Sequence, residues 1–233
     1  MVVVHLVVIM IHEEPYVAEF LDHYLRLGVD KVYLYDNSPS ATLSVLAEHP
    51  RISYKHFPGK QKQLPAYFDY MQTHAPTDPA DFVGFLDADE FLVLKRHATI
   101  QEFLSEFEDV SAVALPWRMF GTNGRVSYDA RPVVERFPVG AAECHSHFKS
   151  FVRPRELLKL NNPHFFYTSR GTTNASRTKM LSSAEDPCED AGDVAVLNHY
   201  FVKSFSEFMK KRERGRADIA TTYDPAVVFD FDA

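Results

Sequence analysis

Residues Phe82-Val-Gly-Phe-Leu-Asp-Ala-Asp-Glu-Phe91 decide how this chain reads. Phe82 to Leu86 is an apolar run of strand length, the pattern of a strand buried on both faces. Asp87 and Asp89 follow at its C-terminal end, and residues two apart on an extended backbone point the same way. Two carboxylates so placed suit a hard divalent cation such as Mg²⁺ or Mn²⁺, which prefers oxygen ligands. In open α/β sheets ligands bind beyond the carboxyl ends of the strands. The pair therefore implies a cation holding a phosphorylated ligand. Spacing alone is weak evidence, because a solvated turn carries the same residues. Asp230-Phe-Asp232 repeats the spacing after another apolar run, but at the end of the chain, where fraying is expected.

Upstream of this stretch the chain alternates strand and helix. Residues 2–11 form a Val-rich strand, and Val17, Phe20, Leu21, Tyr24 and Leu25 recur at helical spacing up to Gly28. Lys31 to Tyr35 is a second strand and Thr42 to Glu48 a second helix; Arg51 to Phe57 is a third strand, with a helix from Gln63 to about Met71 behind it. Residues 82–87 make the fourth strand. That rhythm predicts a mostly parallel sheet with right-handed crossovers.

Downstream the rhythm changes. Thr99-Ile-Gln-Glu102 is a capping box that opens a helix to about Phe107. Val113 to Phe120 reads as a strand, Pro132 to Phe137 as a short helix and Phe148 to Arg153 as a strand. Residues 168–193 are polar and read as a lid that orders over a bound ligand. Val194 to Leu197 is a last strand, and Ser204-Phe-Ser-Glu207 caps a basic final helix. Nothing reads as a repeat or an interdomain linker, so residues 1–233 are expected to form a single domain.

Bulk composition narrows the class. A chain of 233 residues with 45% hydrophobic and 24% charged residues is an ordinary globular protein. The net charge of −7 argues against a general nucleic-acid binder, and it means that an anionic ligand needs a local cation or a few placed Lys and Arg. Cys144 and Cys188 are too few for a disulfide framework, which points to a reducing compartment, the cytoplasm. Met1 to Ile11 has no basic leader, has no cleavage site and is too short to span a bilayer, so no membrane span is expected.

Several segments in sequence carry a resemblance. They are Glu13-Glu-Pro-Tyr16 with Glu19, Leu27-Gly-Val29, Tyr33-Leu-Tyr-Asp-Asn37, Gln63 with Ala66-Tyr67, and Phe85-Leu-Asp-Ala-Asp-Glu-Phe91. Trp117-Arg-Met-Phe-Gly121, Lys149-Ser-Phe-Val-Arg-Pro154, Asn198-His-Tyr-Phe-Val-Lys-Ser204 and Arg212 to Arg216 follow in order. Together they resemble the GT-A-fold glycosyltransferases of family 92 and related family-2-like proteins. Two places depart from the family pattern: Ile11-His-Glu13 stands where Lys-Asn-Glu is usual, and His23-Tyr24 reverses a Tyr-His pair.

The resemblance implies a single α/β domain of GT-A (Rossmann-like) type: a mostly parallel central sheet flanked by helices, with a smaller antiparallel part in the second half. It implies a nucleotide-binding half over about residues 1–95 and an acceptor-side half over about 96–233. The implied activity is transfer of a sugar from a nucleotide-sugar, uridine-linked, to a hydroxyl of a glycan acceptor, with inversion and with Mn²⁺ or Mg²⁺ as cofactor. Asp89 is then the direct metal ligand, Asp87 meets the ribose or reaches the metal through water, and His199 is a further ligand. His199 also reads as a hydrogen-bonded core histidine. Glu13, Asp36, Asn37, Gln63 and Ala88 fall where the nucleotide-sugar is held, although Asp36-Asn-Ser-Pro39 is equally a good turn. Lys149 and Lys203 are diphosphate contacts or solvated surface lysines.

Inversion needs a base on the face opposite the leaving group. Glu135 and Asp129 are the candidates by position, yet Asp129 also suits a helix cap and Glu135 a pair with Arg131 or Arg136. Trp117 offers an apolar face to an acceptor sugar or belongs to the core. Cys144-His-Ser-His147 lacks the second ligand pair that a zinc site needs. Two other functions compete. One is a non-catalytic domain that binds a nucleotide-sugar. The other is an aspartate-nucleophile phosphatase, disfavoured because Phe91 stands where Thr or Val is expected.

Overall fold

The computed structural model describes residues 1–181, 192–216 and 220–230, with side chains up to Val228. Three parallel strands open the chain: β1 (Val4–Met10), β2 (Lys31–Asp36) and β3 (Ile52–His56). The helix α1 (Val17–Leu27) joins the first two, and α2 (Gln63–Thr73) precedes β4 (Phe82–Leu86), which pairs parallel to β1. Gly28 ends α1 in the left-handed region at φ 106, as expected of a glycine there.

Both faces of these strands are covered, which is why they read as unbroken apolar runs. Leu6, Val8, Val32, Leu34 and Leu86 pack with Phe20 and Tyr24 of α1. The alternate residues Val7, Tyr33, Tyr35, Val83 and Phe85 pack with Tyr67 and Tyr70 of α2. Gly84 sits where a Cβ would lie 2.5 Å from the Phe151 ring and 2.8 Å from Leu6, so the strand accepts no side chain there. One expected helix is smaller than its sequence suggested. Residues 42–48 give only a 3-10 turn, Ser44–Glu48, with no buried residue, because no apolar stripe pins it to the sheet.

After β4 the chain turns at Asp87, whose carbonyl accepts from Glu90 N, and returns as β5 (Glu90–Leu94). This strand was missed in the sequence, where the acidic pair read as the end of an element. The capping box at Thr99 opens α3 (Ile100–Ser105) as expected. β6 (Ala112–Met119) lies antiparallel to β7 (His145–Val152), and β7 lies antiparallel to β4. Between them runs the four-residue helix α4 (Val133–Arg136). Its N-terminus is held by Glu19, whose carboxylate accepts from Val133 N and Val134 N; Asp129 accepts instead from Arg131 N. β8 (Leu157–Leu160) and β9 (Phe166–Thr168) form a separate antiparallel pair.

The expected lid is partly something else. Within 168–181 the chain forms β10 (Thr172–Asn174), parallel to β6, and β11 (Lys179–Met180), which extend the main sheet. Residues 182–191 of that segment lie outside the described residues. β12 (Ala195–His199) pairs parallel to β6 and antiparallel to β5, and α5 (Phe205–Arg214) follows behind a capping box at Ser204. A short helix α6 (Val227–Asp230) closes the described chain, and the Asp-x-Asp pair at its end falls partly outside it. Among the described residues the main sheet has ten strands, in the order β11-β10-β6-β7-β4-β1-β2-β3, with β12 bridging β6 and β5. This is the mixed α/β architecture expected from the sequence.

Strand direction now locates the site. β1, β4, β6 and β12 all run the same way, so their C-terminal ends share one rim of the sheet. β7 runs against them and brings its N-terminal end to that rim. Glu13, Asp87, Asp89, Trp117, His145, His147 and His199 are thereby gathered from across the chain. No described helix is long and apolar enough to cross a membrane.

Candidate functional site

A cavity of about 560 Å³ opens at this rim. Glu13, Gln63, Asp87, Ala88, Asp89, Trp117 and His199 line it, seven of the residues singled out from the sequence.

The two aspartates have different surroundings. Asp87 Oδ1 accepts from Gln63 Nε2 at 2.6 Å, and Oδ2 lies 3.0 Å from Lys149 Nζ. Lys149 is fully buried and does not reach the cavity; it is a prop beneath Asp87 rather than a surface residue. Burial opposes its charge, but the Asp87 and Glu90 carboxylates outweigh burial and hold the ammonium well above the ordinary lysine value. Glu90, fully buried, accepts from Asp87 N at 2.9 Å and so fixes the turn between the strands. Burial and the neighbouring Asp87 push its carboxyl well up despite Lys149.

Asp89 is 6% exposed. Its Oδ2 lies 2.6 Å from Lys211 Nζ on α5, and its Oδ1 lies 3.4 Å from His199 Nε2. Burial raises this carboxyl, but Lys211 and His199 overcome burial and hold it well below the usual carboxylate range. Burial pushes His199 down despite Asp89, so a neutral imidazole stands beside a carboxylate. Its Nδ1 is buried with no partner.

The Asp89 carboxylate is an oxygen ligand suited to Mn²⁺ or Mg²⁺, and the His199 nitrogen is a donor that Mn²⁺ accepts more readily than Mg²⁺. The Lys211 ammonium already acts as a stand-in cation on the same carboxylate. No group of three His, Cys, Asp or Glu among the described residues makes a closed metal cage. A cation at a phosphate site needs none, since one or two protein ligands with phosphate oxygens and water suffice. Asp87, tied on both oxygens, is held back from direct coordination.

Basic side chains that the sequence showed only as part of a basic helix and of the Arg212–Arg216 segment, with no site role, add positive charge to the cavity. Lys211, Arg214 and Arg216 all line it. Arg214 Nη1 lies 3.0 Å from Glu13 Oε1 and donates also to the Ile11 carbonyl. Lys203 lies in a neighbouring cavity of about 380 Å³ that shares Glu13, Lys211 and Arg214 with the first. It is 3.9 Å from Glu13 Oε2 and 4.3 Å above the Tyr16 ring.

Another part of the lining, continuous with His199, is aromatic. Trp117 packs 4.3 Å from His199, stacks on His147 at 5.7 Å and meets the His164 edge at 5.2 Å (ring centroids). His145 and His147 reach the cavity because β7 begins at His145, three residues before the expected start. His145 Nδ1 accepts from His147 N, and His164 Nδ1 faces the Phe148 carbonyl at 3.0 Å, to which it donates. Burial and Lys149 push His164 down to about 3, and burial alone lowers His147.

Four sequence candidates lie elsewhere. Asp36, fully buried, accepts from Ser38 N, Leu43 N and the Tyr54 hydroxyl, and Asn37 donates to the Phe57 and Gly59 carbonyls. Both build the turn after β2 and neither lines the cavity. Asp129 is locked to Arg131 at 2.5 Å, and Glu135 is exposed on α4. Neither lines either cavity. Arg136, offered as a partner for Glu135, pairs with Glu207 instead.

Comparison with known proteins gives a consistent family. The model of "Glycosyltransferase family 92" matches residues 74–224. A glycosyltransferase family 92 protein of Arabidopsis thaliana is 23% identical over 218 residues, covering 86% of this chain and 35% of that protein. One of Oryza sativa subsp. japonica is 26% identical over 211 residues, covering 86% and 33%. The chain thus spans about a third of the length of the curated relatives it matches. Among solved structures, HddC from Yersinia pseudotuberculosis aligns with TM-score 0.41 at 9% identity, over 69% of this chain and 81% of that one. Glucosyl-3-phosphoglycerate synthase from Mycobacterium tuberculosis, solved with Mn²⁺, UDP-glucose and phosphoglyceric acid, aligns with TM-score 0.36 at 17% identity, over 66% and 57%.

Proposed function

Because the chain belongs to glycosyltransferase family 92, we propose that it transfers a sugar from a UDP-linked donor to a glycan hydroxyl, with inversion and with Mn²⁺ or Mg²⁺. The observation that carries this reading is the meeting of Asp89, His199 and the basic side chains of the α5 region in one cavity. Asp89 and His199 would hold the cation, which when bound neutralises charge on the departing diphosphate. Lys211, Arg214 and Arg216 supply the remaining positive charge for the phosphates. Asp87, braced by Gln63 and Lys149, presents a fixed carboxylate to the ribose. Placement in the cytoplasm belongs to the same reading and rests on the two cysteines.

The acceptor proton needs a receiver that faces the sugar. Glu13, Asp87 and Asp89, the carboxylates that line the cavity among the described residues, are each tied to a cation. His145 has its Nδ1 lone pair engaged, and His164 is too weakly basic. His147, its pKa lowered by burial, stacked on Trp117 and lining the cavity, fits the role better than Glu135 or Asp129, which do not line it. As the acceptor oxygen bonds to the anomeric carbon and the bond to the diphosphate breaks, the hydroxyl proton passes to this imidazole. His147→Asn should lower kcat by about 10²–10⁴-fold with the donor KM unchanged. A base works while deprotonated, so wild-type activity should fall as pH drops through the His147 pKa. Burial places that limb below the ordinary histidine value near about 6.5. Rate–pH profiles of the two proteins check this, and the limb should be missing from the variant.

The function itself is tested by calorimetry with UDP, with and without Mn²⁺, followed by a panel of UDP-sugars and glycans. Metal-dependent binding followed by UDP release and glycan labelling is the expected result. UDP binding that ignores metal counts against the cation site. Binding without transfer or hydrolysis would leave a nucleotide-sugar-binding domain.

A further inference from the structure

Lys211 is placed in an unusual way for a phosphate contact. Its ammonium is committed to Asp89 at 2.6 Å, the carboxylate that would hold the metal. The side chains of the pair are 14% and 8% exposed, so water screens the contact poorly. The lysine also has a second resting place close by. Its Nζ donates to the Phe201 carbonyl at 3.1 Å and sits 4.0 Å from the centre of the Phe201 ring. It can leave Asp89 without losing every partner.

Charge balance decides when it leaves. Glu13, Asp87 and Asp89 face Lys211, Arg214 and Arg216, so the cavity lining is neutral when the histidines are neutral. A bare divalent ion entering this cavity meets cations already paired with every carboxylate and leaves the site with excess positive charge. A diphosphate brings the missing negative charge, and its oxygens offer Lys211 a new partner.

From this geometry, and resting on the donor-binding reading above, we infer that Lys211 is an exchangeable counter-cation. The divalent metal takes Asp89 only when a diphosphate takes the lysine. Metal and nucleotide therefore bind as a coupled pair, and the free protein has little affinity for the metal alone. The linkage is reciprocal, as any coupling free energy must be.

The test uses Mn²⁺, followed by the electron paramagnetic resonance signal of the free aqueous ion, with the whole chain as protein. Mn²⁺ is titrated into wild type and Lys211→Met, each alone, with saturating UDP, and with inorganic pyrophosphate. In wild type, UDP or pyrophosphate should tighten Mn²⁺ binding by about 10-fold or more, within the ordinary range of coupling between sites. In Lys211→Met, Mn²⁺ alone should bind about 10-fold tighter than in wild type, and most of the coupling should vanish. Lys211→Arg should behave like wild type. Equal Mn²⁺ affinity of wild type with and without diphosphate overturns the exchange, and that arm needs no variant to fold. Equal affinity of the methionine variant and wild type for Mn²⁺ alone overturns it too. Coupling to pyrophosphate but not to UDP would remove the UDP-sugar reading and leave the exchange standing. Mn²⁺ bound by neither protein under any condition overturns both.

Discussion

Asp89→Asn should abolish the metal-dependent part of UDP affinity. The amide keeps the shape of the carboxylate, and the Asp89 carbonyl still accepts from Tyr200 N, so β5 and β12 stay in place. What is lost is the one buried anionic oxygen pair beside His199. Removing a supporting group from a metal site already costs about 10–100-fold in metal affinity, and a direct ligand should cost at least that. Calorimetry should show UDP binding to the variant with the same affinity whether or not Mn²⁺ is present. The metal-free affinity should hold or rise, because Lys211 loses its carboxylate partner and becomes available to phosphate. Retained metal dependence in the variant would place the cation elsewhere.

Arg136→Met should be the most destabilising of the substitutions considered. Arg136 and Glu207 form a bidentate pair at 2.8 and 3.1 Å, with side chains 1% and 6% exposed. Glu207 also receives the Tyr16 hydroxyl at 2.6 Å and closes the capping box of α5 with Ser204. Removing the guanidinium strands a buried carboxylate, a loss of about 3–5 kcal/mol. For a chain of this size each kcal/mol lowers Tm by about 2–4 °C. Arg136→Met combined with Glu207→Gln should recover part of the loss, because no lone charge is then buried. The pH dependence has a definite sign. The bonds from Arg136, Ser204 and Tyr16 overcome burial and depress the Glu207 carboxyl, so its stabilisation is present at neutral pH and lost as pH falls through its folded value. Thermal melts of wild type should steepen in their acid dependence below the ordinary glutamate range near about 4.3, and the variant should lack that component.

The parallel core was legible because Leu6, Val7, Val8, Phe82, Val83 and Leu86 are buried on both faces, and continuous burial writes itself as continuous apolar sequence. The capping boxes at Thr99 and Ser204 were legible because they are local chemistry. β5 was missed because two carboxylates in a tight turn look like the end of an element, although Phe91-Leu-Val-Leu94 was a signal for it. Lys149 read as a diphosphate contact or a surface lysine because sequence carries no trace of Asp87 and the buried Glu90, the two carboxylates that offset its charge. His145 and His147 were weighed only as zinc ligands. Their place in the cavity depends on β7 running against β6, a pairing between residues some thirty positions apart. Lys211 and Arg214 were recognised as part of a basic helix, but only the fold brings that helix over Asp89 and Glu13. Glu135 and Asp129 were read from position alone, and neither lines the cavities described. Their distance in sequence from Trp117 suggested the site, while α4 is held by Glu19 outside the cavity.

The direction of the strands has a practical corollary. Ser169, exposed and with ordinary backbone geometry, lies beside Ser111 at the start of β6, at the margin of the sheet opposite the cavity mouth, whereas the nearby Gly171, at φ +82, would strain any side chain placed on it. A surface tether or fluorescent label attached at Ser169 would leave substrate entry unobstructed, whereas the same handle near Asn123 or Gly140 would crowd the return from β6 to β7 beside it.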